Sequence, residues 1–388
     1  MKTKKLIVVG TMAANPYAGM AWMHMQIVLG LQRLGHDVYY FETTSSWPYD
    51  PIRQTLVRDS DYAVPYLRKV AESFGLGSRW AYRRSYSDKA WLGFDRRRAE
   101  DLLANADAVF NVAGATKFAE EGLDVGRAVY LGTDPVTHEL AAANDDPAFR
   151  WLIDEHHDFA TYGENIGTAH SPVPPLPGLK ARTRQPVLLD FWTAGPPSRD
   201  VFTTVGNWKQ VGHDVEYQGE KYTWSKHHEF LKVIDVPRRV SQPIELATGF
   251  SQLDPADRHL LEDNGWHLVD GHAFTNDPWP YRDYVTASAG EFTVAKDQNV
   301  RLRSGWFSER SCCYLAAGRP VVTQDTGFGT VLPTGEGLFA FQTAEEAVEA
   351  LDSIRRDYDR HSRAARIIAE EYFRAEVVLA NLLEDLGI

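Results

Sequence analysis

The stretch from Lys4 to Glu42 constrains the fold more than any other. A short apolar run, LIVV, ends at Gly10, the pattern of a buried parallel strand followed by a glycine turn. The loop TMAANPYAG follows, broken by Pro16 and Gly19. Met20, Met23, Ile27, Leu31 and Leu34 then recur at steps of three and four, which predicts an amphipathic helix closed by Gly35. VYYFE, ending at Glu42, is a second strand. Strand, glycine loop, helix and strand within some forty residues make a βαβ unit, and such units build parallel sheets. The rhythm continues. AVFNV, the run Ala128–Leu131 before Gly132-Thr133-Asp134-Pro135, and FAT before Tyr162-Gly163-Glu164-Asn165 are further strands with polar residues at their ends. Open α/β sheets place ligands at those ends.

The segment Ser171–Pro186 holds five prolines and reads as a linker. Beyond it the same rhythm restarts: VLLDFW, VFTTV, PIELAT, HLVD and EFTVAK are candidate strands, and SKHHEFLKVIDVP reads as one helix capped by Ser225. SERSCCYLAAG is a helix capped by Ser308 and closed by Gly318, and residues 345–386 are nearly all helical. At 388 residues there is chain enough for two domains, each with its own core.

Charge and cysteine content narrow the function. Lys plus Arg is 41 and Asp plus Glu is 53, a formal charge of −12, which disfavours a sequence-independent nucleic-acid binder or a protein held on anionic lipid. The only cysteines are the adjacent Cys312 and Cys313, so a disulfide scaffold is excluded. The apolar run Leu6–Val9 is too short for a signal-peptide core, and no stretch is apolar enough to span a membrane. A cytoplasmic location is expected. The histidine clusters His156-His157 and His227-His228-Glu229 lack metal-ligand spacing, and no metal site is expected.

Local chemistry points to the helix opened by Ser308. Free N–H groups at a helix start attract anions. Glu309 in the first turn suits ribose hydroxyls, Arg310 suits a phosphate, and the Thr326-Gly327 loop after RPVVTQD offers backbone N–H groups to a diphosphate.

Two stretches carry a resemblance. GMAWMHMQIVLGLQRLGHDVYYFE, with Gly19 seventeen residues before His36, resembles the first unit of GT-B glycosyltransferases, and SGWFSERSCCYLAAGRPVVTQDTGFGTVLPTGEGLFAF resembles the donor segment of their family-4-like members. The paired glutamates of that family are absent, since the later one falls at Cys313, and Glu309 is the candidate substitute. The WFSER-to-DTG arrangement is similar to a bacterial subgroup that includes CgeB-type spore-maturation proteins. The resemblance implies two Rossmann-like domains facing across a cleft. Residues 1–175 would bind the acceptor, 186–360 the nucleotide sugar, and 361–388 would pack back on the first domain. It implies Gly206, Asn207 and Lys209, with Lys226 or Lys296 as a second cation, on the diphosphate. It implies Gly19, Glu164 and Asn165 on the acceptor side. The candidates for taking the acceptor proton are Asp134 and His24; the first-helix histidine of inverting members would fall at Met20. The partners implied are a nucleotide sugar and a hydroxyl-bearing acceptor, with neither metal nor bound cofactor. The alternatives are a nucleotide-sugar epimerase on the same fold and a non-catalytic CgeB-like carbohydrate-associated protein.

Overall fold

The computed structural model describes residues 2–388. In the first half, β1 (Lys5–Val9), β2 (Asp37–Glu42), β3 (Trp80–Arg83), β4 (Trp91–Leu92), β5 (Ala108–Val112), β6 (Ala128–Gly132), β7 (Asp158–Thr161) and β8 (Leu179–Arg182) form one sheet. Its order is β8-β7-β6-β5-β1-β2-β3-β4, and only β4 runs antiparallel. In the second half, β9 (Phe202–Val205), β10 (Ile244–Thr248), β11 (His267–Asp270), β12 (Gly290–Thr293), β13 (Val321–Gln324) and β14 (Leu338–Phe341) form an all-parallel sheet ordered β11-β10-β9-β12-β13-β14. Both orders run outward from the first strand of each half and then reverse, the doubly wound arrangement. The crevice at that reversal, between β1 and β5 and between β9 and β12, is where such sheets bind ligands.

The helix after β1 is α1 (Ala18–Arg33), and it is buried on nearly every face. Trp22 donates its Nε1–H to the Pro278 carbonyl at 2.8 Å. The Gln26 side-chain oxygen accepts from the Leu188 N–H and the Trp192 Nε1–H, both at 3.1 Å. An amide buried this deeply is stabilising only because its partners satisfy it. A hydrophobic replacement would orphan two donors.

The tail forms three helices, Ala344–Arg356, Tyr358–Tyr372 and α3 (Ala375–Leu386). α3 lies on α1. A Cβ at Gly30 would come within 2.4 Å of the Leu379 side chain, so glycine lets the two backbones approach. The helix Glu309–Ala316, here α2, is capped by Ser308, whose side chain accepts from the Arg310 N–H at 3.3 Å.

Three local readings are corrected. The proline-rich segment contains β8, a parallel edge strand whose Arg182 donates to the Ile166 carbonyl at 2.6 Å. Edge strands tolerate nearby proline because one ladder is missing. VLLDFW is not a strand but ends in a 3-10 turn, Leu189–Trp192. SKHHEFLKVIDVP divides into two short helices, His227–Leu231 and Val236–Arg239, and Ser225 does not cap the first, whose preceding residue is Lys226. Pro237 has no N–H with which to continue a ladder.

Candidate active site

Two adjoining chambers open at the strand ends of the second half, and the larger of them is closed on its far side by the first half. The larger, about 290 Å³, is lined by the ends of β9, β10 and β11 through Gly206, Asn207, Thr248, Gly249 and His272, and by Tyr17, Gly19 and Met20 of the first half. The smaller, about 220 Å³, is lined by Gly206, Asn207, Lys226 and Thr293. Glu309 and Arg310, at the first turn of α2, line both. The strand-end rule thus holds in detail: three consecutive β-ends and one helix start face a cleft whose far wall is the end of the loop after β1 and the first turn of α1.

The charges there are unequally partnered. Arg310 is committed to the fold: Nε donates to Glu291 at 2.5 Å, Nη1 to the Val205 carbonyl at 2.5 Å and Nη2 to Thr293 Oγ1 at 2.9 Å. Glu291 is fully buried, so Arg310 is its neutralising partner. The Glu309 carboxylate has no hydrogen bond or ion pair among the described residues. Lys226 likewise has no carboxylate within ion-pair distance there, and its ammonium lies 5.4 Å from the centroid of the Trp306 ring. Burial, then the charge of Arg310, lowers Lys226 to about 7; Lys296 adds to this and Glu309 opposes it. A half-buried cation with few partners is a ready binding group for an anion. Lys296 is ion-paired with Asp134 of the first half, neither of the two lines either chamber, and the Lys296 ammonium lies 2.9 Å from the centroid of the Trp224 ring.

Of the residues expected in the site, Gly19, Gly206, Asn207, Lys226, Glu309 and Arg310 line the chambers. Others are placed elsewhere. Lys209 pairs with Asp257 at 2.6 Å and lines neither chamber. His24 is 1% exposed, with Nδ1 2.7 Å from the Met20 carbonyl oxygen and its ring in the space that a Cβ on Gly10 would occupy. Burial lowers its pKa to about 4, so it is an uncharged core group. Glu164 is buried and bonded to Arg184 at 2.5 Å. Asn165 joins the halves: its Nδ2 donates to the carbonyls of Arg303 at 3.1 Å and Gly327 at 3.0 Å, and its Oδ1 accepts from Thr330 at 2.7 Å. Thr326 donates to the Trp306 carbonyl at 2.6 Å. Gly327 therefore belongs to the seam between the halves, Thr326 to the packing within the second half, and Ser308 to the helix cap.

His272 escaped the sequence reading. It follows β11 and lines the larger chamber, and both ring nitrogens are buried without a partner. The signal was present, since HLVDG is a strand end like those that were read. Among the described residues, no group of three His, Cys, Asp or Glu side chains is placed to hold a metal ion.

No family model matches the chain, and no curated protein matches it in sequence. Solved structures do. An α-glucosyltransferase in complex with UDP and a 13-mer DNA is 9% identical, with a TM-score of 0.63 over 100% of both chains. Anabaena HepE in complex with UDP and glucose is 10% identical, with a TM-score of 0.59 over 99% of both chains. The sucrose-phosphate synthase of Thermosynechococcus elongatus is 11% identical, with a TM-score of 0.53 over 98% of both chains. These full-length likenesses, together with the two doubly wound sheets and the cleft between them, show that the chain has the GT-B fold of those glycosyltransferases.

Proposed function

We propose that the protein transfers a sugar from a nucleoside-diphosphate sugar to a hydroxyl of an acceptor. The observation that carries this reading is that an unpartnered cation, Lys226, and an unbonded carboxylate, Glu309, line one chamber at the start of α2. Lys226 and the helix N–H groups suit a diphosphate. Glu309 suits the hydroxyls of ribose or sugar. Backbone at Gly206 and Asn207 allows close approach from β9. The acceptor oxygen attacks the anomeric carbon, and the carbon–oxygen bond to the diphosphate breaks with its electron pair going to the leaving phosphate. The acceptor proton passes to a base on the first half, for which Asp134 is the candidate. Lys226 opposes the charge that develops on the leaving group, so the step as written uses no metal and no bound cofactor.

The α-glucosyltransferase and HepE complexes contain UDP, which makes UDP the first probe for this chain. We place the chain, within the fold, near the CgeB-like bacterial subgroup on SERSCCYLAAG and the following DTG. Two free, buried cysteines accord with a reducing cytoplasm, and no described helix is long and apolar enough to cross a membrane. The test is a thermal-shift panel of UDP, GDP, dTDP and ADP. One nucleotide is expected to raise the melting temperature, and Glu309→Ala to abolish that rise. A panel without any shift overturns the reading.

A further inference from the structure

The loop after β6 is gripped by the opposite half of the molecule. Trp306 Nε1–H donates to the Thr133 carbonyl at 3.1 Å, Gln298 Nε2 to the Pro135 carbonyl at 3.3 Å, and the Lys296 ammonium to Asp134 Oδ2. The next residue, Val136, has φ +90°, a conformation that β-branched residues rarely adopt. Its N–H is held by Glu139 Oε2 at 2.7 Å. The fold thus tolerates local strain to present Asp134 to Lys296. The other Asp134 oxygen, Oδ1, is buried without a partner. With Oδ2 on the Lys296 ammonium, that oxygen is not free to meet an acceptor hydroxyl.

Lys296 has a second direction of attraction. Asp134 favours its charged form most, after burial has opposed it, and Glu309 in the chambers favours it too. The ring of Trp306, whose Nε1–H holds the Thr133 carbonyl beside Asp134, also lies 5.4 Å from the Lys226 ammonium, so one tryptophan links the Lys296–Asp134 pair to the wall of the smaller chamber. Arg310 is held by Glu291, Val205 and Thr293, and Lys226 stands alone. Lys296 is therefore the cation whose present partner, Asp134, belongs to the opposite half. Its flexible four-carbon stem and rotatable donors suit a change of partner.

We propose that Lys296 is handed from Asp134 to the diphosphate when the nucleotide sugar binds, which frees Asp134 to take the acceptor proton. The inference rests on the donor reading above. A diphosphate carries more negative charge than one carboxylate and so competes for the ammonium. The base is then unmasked only when a donor is in place, and donor binding precedes productive acceptor binding.

The test is calorimetric titration of the full chain and its variants Asp134→Asn, Lys296→Met and the double variant. The ligands are UDP, GDP, dTDP, ADP and inorganic pyrophosphate, with the tightest nucleotide carried forward. Asp134→Asn removes the competitor and is expected to tighten binding about fivefold. Lys296→Met is expected to weaken it about tenfold. In the Lys296→Met background, Asp134→Asn is expected to change nothing. If Asp134→Asn does not fold, as judged by circular dichroism, Asp134→Ser carries the same comparison. Unchanged or weaker binding on removing the carboxylate overturns the hand-over while leaving the donor reading intact. If neither the nucleotides nor pyrophosphate bind the unaltered protein, the donor reading falls, and this inference with it.

Discussion

Asn165 Nδ2 lies 3.0 Å from the Gly327 carbonyl oxygen, and a Cβ on Gly327 would lie 2.6 Å from that same nitrogen. Gly327 also has φ +87°. Alanine there meets both a backbone penalty and a collision with the group that joins the halves. Gly327→Ala is expected to cost about 2 kcal/mol, read as a lower urea midpoint. A variant as stable as the parent would show that the seam yields freely.

Lys226→Met is expected to weaken nucleoside-diphosphate binding about 10–100-fold, the range for a lost charge-assisted hydrogen bond. Titration with UDP at fixed salt measures it. Lys226 has its pKa lowered to about 7, and a bound diphosphate pulls that value back up. Binding above pH 7 therefore takes up a proton, and affinity falls as the pH rises from 7 toward the ordinary lysine range. In Lys226→Met this fall should vanish.

Arg310→Ala is expected to act on stability before binding. It leaves Glu291, fully buried, without its cation, at a cost of about 3–5 kcal/mol. Arg310→Lys should restore little, because one ammonium cannot reach Glu291, the Val205 carbonyl and Thr293 together. Melting temperatures of the three proteins decide this. Equal melting temperatures would return Arg310 to a role on the ligand.

Glu42 is completely buried, accepting from the Ala13 N–H at 2.8 Å, the Ala14 N–H at 2.5 Å and the Tyr40 hydroxyl at 3.0 Å. Burial raises its pKa from 4.5 to about 7, more than those three bonds lower it. Because the folded value is the higher one, its contribution to stability is complete below about pH 4.5 and is lost as the pH rises through 7. Urea midpoints measured across that window should show a downward component, and Glu42→Gln should remove it. A pH-independent difference between the two proteins would contradict the assignment.

The parts of this fold that were legible are those governed by local periodicity. The run from Lys5 to Glu42 announces β1, α1 and β2 because its apolar spacing is set by burial on a sheet. Ser308 announces a helix start through its own cap. Residues whose roles depend on distant partners were not legible in the same way. Arg310 carries the donor set of a phosphate ligand, and nothing nearby in sequence says that Glu291 and Val205 already occupy it. Lys209 follows the Gly206 turn and Lys226 lies in WSKHHEF, and nothing nearby in sequence says that Asp257 already holds Lys209 while Lys226 has no carboxylate partner. Asn165 follows a strand end, as site residues do, yet faces Gly327 and Arg303 of the other half. The pairing of Asp134 with Lys296 joins positions 162 residues apart and has no local trace.

The seating of α3 against Gly30 has a consequence for biosynthesis. The opening lobe waits for a segment near position 380 before its outer layer is sealed, whereas the later sheet and the two helices that cover its lobe are complete by Tyr372. As the chain emerges from the ribosome, the lobe begun second is the first to be finished.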